Sequence, residues 1–448
     1  MLRSFALLFV LALGGASALS AQPPAFGSAD DPLELGASPT SPDRVVVGGY
    51  AGPAFLRSGW RTGIRAEATV LHGPFSASIG GAVHPGDGGF YPREADDAYD
   101  ALRLIRYIRL QPRQGGGSAY ARIGPLENAT LGAGLLARRY RTTAAWDERR
   151  IGAEASIGDP SARVSGFVGD LTGGSVAGAE VEFGTGISVP RVEDLRLSIG
   201  AVHDLSLPLS GDSSYTGVEA TVQGALFSQD GFEVGPYVSY ARLLGRGGAV
   251  GVGVEVEAPD LGAVARTHAR LGLIVSGGRF IPGHVGPFYS VGAGRQRVVD
   301  ADSFFDPEAP IAFAGTPIDS ANGGVALVTD LRAVAFGRFE GLLYARRHFG
   351  PRPLSAFSLR LAARAGDTRF ELGLEKQGFR ALLSLFGGDL GEENTLVLDI
   401  ATPVPALSGA DLFVRSRYGY RRVSGGDGTD SYLVERRFQP FIGFRHRW

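Results

Sequence analysis

The chain contains no cysteine among its 448 residues, which excludes disulfides, thiolate metal sites and cysteine nucleophiles together. It contains one lysine, Lys376, and that residue follows Glu375, so the glycine–lysine step of a phosphate-binding Walker loop is missing. Excess charge is also missing. Lys and Arg number 44 against 46 Asp and Glu, a net charge of −2, which speaks against a nucleic-acid partner. No run of 18 apolar residues occurs, so no transmembrane helix is expected. Neither G-x-S-x-G nor H-E-x-x-H is present, and the seven histidines show no metal-ligand spacing. These absences predict a protein that is not an enzyme, with no catalytic residue, no metal and no cofactor.

Glycine is abundant, at 67 residues, and apolar residues make up 44% of the chain, dispersed in short pieces. The first piece reads as an export signal over residues 1–21. Arg3 precedes the apolar stretch from Phe5 to Leu13, and Ala16-Ser17-Ala18 and Ala21 offer small residues for cleavage.

The later pieces alternate with period two, the signature of strands. Val250, Val252, Val254 and Val256 oppose Gly251, Gly253, Glu255 and Glu257. Ile64, Ala66, Ala68 and Val70 oppose Arg65, Glu67 and Thr69. Leu359 and Leu361 oppose Arg360 and Ala362 in the same way. A tilted strand needs about 9–11 residues to cross a bilayer, close to the length of these runs. About 18–22 such strands are expected.

A soluble sandwich also alternates, with its apolar face inward. Two features favour the opposite orientation. Charge and glycine recur on one face at strand centres, and aromatics cluster near run ends (Phe75, Phe227, Phe232, Phe357, Phe379, Phe444), as in the interfacial girdles of membrane barrels. The predicted fold is all-β, a transmembrane antiparallel β-barrel with short turns on one side and longer loops on the other. Closure would also remove the exposed edges that so many strands create.

The chain ends in Phe438-Gln439-Pro440-Phe441-Ile442-Gly443-Phe444-Arg445-His446-Arg447-Trp448, with Ile442, Phe444 and Trp448 on one face, interrupted by His446. This resembles the closing strand of bacterial outer-membrane β-barrels of porin-like type. The resemblance implies an outer-membrane location, contact with outer-membrane lipid, and recognition by the barrel-assembly machinery during biogenesis.

Residues 22–62 are expected to form a periplasmic extension or a small plug, and 63–448 the barrel. The segment 298–322, rich in Asp, Pro and Phe, reads as an extracellular loop able to fold inward, and 138–150 as another loop.

Charged residues on the polar face are the candidate pore lining. Glu180, Glu182, Glu219, Glu255 and Glu257 lie on earlier strands. Arg266, Arg270, Arg360, Arg364, Arg369, Arg415 and Arg417 lie on later ones. Either they form opposed acidic and basic arcs, or they intermix as an ion-pair network. An Arg facing lipid at midplane would cost about 2–4 kcal/mol, so all are placed inside. The function expected is passive diffusion of small polar solutes. Two alternatives stand beside it: a plugged structural or ligand-binding barrel, and a hydrophobic-solute transporter with an N-terminal hatch.

Overall fold

Alternating residues leave an extended backbone by opposite faces, and a computed structural model of the protein builds most of its described residues that way. It describes residues 44–448 apart from 57–58, 87–88, 92–96, 111–118, 146–148, 160, 174–175, 188–191, 205–214, 230–231, 259–263, 290–320, 336–338, 351–353, 367, 380–393, 408 and 425–429. The expected export signal, residues 22–43 and nearly all of the 298–322 loop lie outside the described residues.

The strands run in chain order. The first group is β1 (Arg44–Leu56), β2 (Gly59–His72), β3 (Phe75–Val83), β4 (Pro85–Gly86), β5 (Gly89–Phe90), β6 (Ile105–Leu110), β7 (Tyr120–Pro125) and β8 (Ile151–Gly158). Then follow β9 (Ala162–Val168), β10 (Val176–Gly184), β11 (Glu193–Asp204), β12 (Thr216–Ala225), β13 (Phe227–Gln229), β14 (Phe232–Leu243), β15 (Gly248–Ala258) and β16 (Val264–Ser276). The last are β17 (Gly324–Ala335), β18 (Phe339–Phe349), β19 (Ala356–Ala365), β20 (Thr368–Gln377), β21 (Asn394–Pro403), β22 (Ala410–Ser424) and β23 (Asp430–Arg447). One short helix, α1 (Tyr99–Arg103), precedes β6.

Twenty of the strands form a closed antiparallel barrel in which each pairs with its neighbours in sequence. The hairpin β4–β5 stands apart, and β13 continues the path of β12 along β14. At that break a Cβ on Gly235 would fall 1.8 Å from the carbonyl oxygen of Gly224, so only glycine fits. The seam is β1 against β23, from Val46↔Arg447 to Leu56↔Arg437. It is close enough that a Cβ on Gly52 would meet the Pro440 carbonyl oxygen at 2.3 Å.

The barrel therefore begins at Arg44, not at residue 63. Gly48, Gly49 and Gly52 dilute the apolar alternation of β1, which hid this strand within the lead-in. The strand ends of β2 and β3, β17 and β18, and β19 and β20 that follow one another closely in sequence lie on the side of both chain ends, and the widely spaced strand ends between β3 and β6, β7 and β8, β16 and β17, and β20 and β21 lie on the other.

Exposure decides which face points outward. Val250, Val252 and Val254 are 43–45% exposed, and Leu271, Leu273 and Val275 are 47–57% exposed, all pointing outward. Arg65 and Glu67 on the opposite face are buried. A soluble sandwich would reverse this pattern. Outward aromatics gather towards the strand ends: Phe75, Phe227, Phe339 and Phe444 on the terminus side, Trp60, Tyr240 and Phe349 on the other. Phe357 and Phe379 depart from the expected girdle, burying against each other and Leu343, Leu359 and Leu374. No described helix is long and apolar enough to cross a membrane.

Candidate functional site: a lumen narrowed by two inward segments

The connection from β7 to β8 turns into the barrel instead of standing above it. Leu126, Leu131, Leu135, Leu136, Ala137 and Tyr140 supply an apolar side to this segment. They bury against inner-wall residues including Phe167, Val202, Leu243, Val328 and Tyr344. An irregular chain in such a place must satisfy its backbone polar groups. Part is done internally: Ala129 and Tyr140 exchange backbone hydrogen bonds of 3.0 and 2.8 Å, and Thr142 N donates to the Leu126 carbonyl at 2.9 Å. Wall carboxylates satisfy others. Gly132 N donates to Glu180 Oε2 at 2.8 Å, and Leu136 N to Glu219 Oε2 at 3.0 Å.

Charge fastens the other flank. Arg138 pairs with Asp330, and Arg139 reaches the same carboxylate at 2.7 Å. Arg141 pairs with Glu375 at 2.6 Å, and Glu127 with Arg360 at 3.0 Å. Backbone joins as well, since Tyr420 N on β22 donates to the Ala144 carbonyl at 3.1 Å. The segment thus reaches β10 and β12 on one side and β17, β19, β20 and β22 on the other.

A second inward segment, following β16, lies on the first. Gly283 N and Val285 N donate to the carbonyls of Leu135 and Leu136 at 2.7 and 3.2 Å, and Arg138 N donates to the Val285 carbonyl at 2.9 Å. Tyr289 OH donates to Asp204 Oδ2 at 2.7 Å. His284 sits edge-on to Tyr289, with ring centroids 5.2 Å apart, and 5.7 Å from Tyr215.

Removal from water among these rings pushes His284 down to about 4. An undocked segment would titrate near the ordinary histidine value of about 6.5. Docking is then fully supported above about 6.5 and loses support as pH falls from there towards 4, because the undocked form binds the extra proton. Hydrogen exchange at the Gly283, Val285 and Arg138 amides, corrected for intrinsic rates, should accelerate across that window. His284→Phe should flatten the response, and unchanged wild-type protection between pH 7 and 4 would refute it.

The sequence-predicted residues take these positions. Glu180 and Glu219 hold the first inward segment as described, and Glu219 also accepts from Ser239 Oγ at 3.2 Å. Glu182 lies 3.5 Å from Arg196. Glu255 accepts from Arg270 at 2.5 Å. Glu257 lies half-buried on the same inner face of β15. Arg360 bridges Glu127 and Glu375, the latter at 3.5 Å, and Arg369 is buried on the inner face of β20. Arg415 grips Asp399 through Nε and Nη2 at 3.0 and 2.7 Å, with Arg417 3.7 Å away. The side chains of Arg266 and Arg364 lie outside the described residues.

The basic arc is not cationic. Glu371, Glu375, Asp399 and Glu435 share the inner face with its arginines, and Arg437–Glu435 at 2.6 Å repeats the pairing. These strands carry the intermixed network, while acidic residues prevail on β10–β15. The inner face is not wholly polar either. Tyr50, Phe413 and Phe441 cluster there, with the Arg65 and Arg415 guanidiniums 5.2 and 5.0 Å from the Phe413 ring.

Sequence reading missed the inward segment 126–145 and its partner Asp330, taking 138–150 only as a loop. The available signal was composition: leucines at 126, 131, 135 and 136 beside arginines at 138, 139 and 141 suit an interior better than an exposed loop.

A closed wall, an apolar outer belt, a charged inner face and an inward-folded loop define a transmembrane β-barrel whose lumen is narrowed from within. No family model matches the chain, and no curated protein matches it. Solved structures do. The outer membrane protein OpdK from Pseudomonas aeruginosa is similar over 91% of this chain and 98% of its own, with 9% identity and a TM-score of 0.31. OpdL from the same organism matches over 91% and 99%, with 10% identity and a TM-score of 0.32. OccAB3 from Acinetobacter baumannii matches over 91% and 99%, with 10% identity and a TM-score of 0.29. Likeness at this level concerns the fold alone.

Proposed function

We propose that the protein is an outer-membrane channel through which small hydrophilic solutes diffuse passively along a path narrowed by the two inward segments. One observation carries this reading. The 126–145 segment is fastened to the wall largely through carboxylates and guanidiniums, the groups that would line an aqueous path, as well as by apolar packing. Paired charges of both signs along a narrow passage select by size and dipole as well as by charge.

A second reading, a plugged barrel with a structural or ligand-binding role, is favoured by the burial of wall charges such as Asp399 and Arg415. Planar-bilayer recording separates the two. Protein refolded in detergent, its folding verified by heat-modifiable migration on gels, is expected to give small, reproducible ionic steps. Silence from folded protein would overturn the channel and leave the plugged barrel standing.

A further inference from the structure

The inner face near the terminus-side mouth carries a group of donors that no transport step requires. Register creates it. Glu233 on β14 lies opposite Glu257 on β15, and Glu257 lies opposite His268 on β16. Glu255, two residues before Glu257 and so on the same face, lies opposite Arg270. One carboxylate oxygen each from Glu255 and Glu257 and one ring nitrogen of His268 lie within 4.8 Å of one another.

The surrounding contacts orient these donors. Glu255 Oε2 accepts from Arg270 Nε at 3.1 Å and Nη2 at 2.5 Å, which holds the carboxylate, and its Oε1 shares a hydrogen bond with His268 Nε2 at 2.7 Å, whose proton a bound cation would displace. A ligating carboxylate fixed by a second hydrogen-bonding group is the usual support of a metal site. Arg332, opposite His268 on β17, is turned to Glu340 at 3.2 Å. Glu257 makes no hydrogen bond or ion pair among the described residues, and it faces a second carboxylate across the ladder. Like charges directly opposite each other destabilise a strand pair, and a bound cation would reverse that sign.

We propose that Glu255, Glu257 and His268 form a binding site for a divalent transition-metal ion of the Zn2+ type. Two carboxylates and an imidazole suit zinc, whereas Mg2+ and Ca2+ take oxygen ligands throughout. His268 keeps 30% of its side chain exposed, so an ion can enter from the mouth and retain water as a fourth ligand. The site does not depend on conduction, since a plugged barrel would hold it equally well.

The test is calorimetric titration of Zn2+ into untagged, full-length protein, refolded in detergent and stripped with chelator. One Zn2+ per chain is expected. Glu257→Gln and His268→Gln should each weaken binding at least tenfold, while Glu435→Gln, on β23 and far from β15 around the barrel, should leave it unchanged. Gel heat-modifiability verifies that each variant is folded. Cu2+ used as a second probe should show imidazole-nitrogen coupling in its electron paramagnetic resonance spectrum, lost in His268→Gln. Absence of saturable Zn2+ binding by folded wild-type protein would overturn the site. So would binding equally tight in both ligand variants.

Discussion

Replacing residues 127–145 with a short Gly-Ser linker is expected to raise single-channel conductance severalfold. Barrels of 16–18 strands already enclose an aqueous channel, and interior width grows roughly linearly with strand number. A twenty-strand wall is wider still, so what narrows this lumen is the material folded into it. The replaced segment holds the groups that tie it across the lumen, among them Glu127 to Arg360, Arg138 and Arg139 to Asp330, Arg141 to Glu375, the Gly132 and Leu136 amides to Glu180 and Glu219, and the Ala144 carbonyl to Tyr420 N. Its removal also unseats the second segment, whose Gly283 and Val285 amides bond to Leu135 and Leu136. The strands pair without it, so the barrel should still fold and migrate heat-modifiably. Conductance no larger than wild type in such a folded variant would remove the segment from the conduction path.

Val252→Arg is expected to destabilise the folded protein by about 2–4 kcal/mol, the cost of arginine on a barrel's lipid face at midplane. Val252 sits at the centre of β15, 44% exposed and paired with Leu273 on β16. The same substitution at Val275, near the far-side end of β16, should cost about 0–1 kcal/mol because the side chain reaches the interface. Reversible unfolding in urea with lipid vesicles measures both. Equal costs at the two positions would mean that the outward valine and leucine rows do not lie in hydrocarbon.

Much of this architecture was legible before any coordinates. The rows Val250-Val252-Val254 and Arg65-Glu67-Thr69 follow from a period of two, and each row emerges intact on the face expected of it. β1 was not legible, because its glycines weaken the alternation although its register with β2 and β23 is continuous. The inward segment escaped for another reason. It has no periodicity, and Glu127, Arg138 and Arg141 meet partners 192 or more residues away. The Glu255, Glu257 and His268 cluster escaped likewise, since 11 residues and a strand turn separate its members.

Sequence alone determined the strand-built class, the outward apolar rows and the inward placement of charge, because side-chain alternation is local and survives any register that keeps the two faces apart. Tertiary structure decided how the lumen is filled and which charges neutralise which. Those choices depend on closing the ring of strands, which brings distant carboxylates and guanidiniums within hydrogen-bonding distance and gives an irregular connection a wall to dock on.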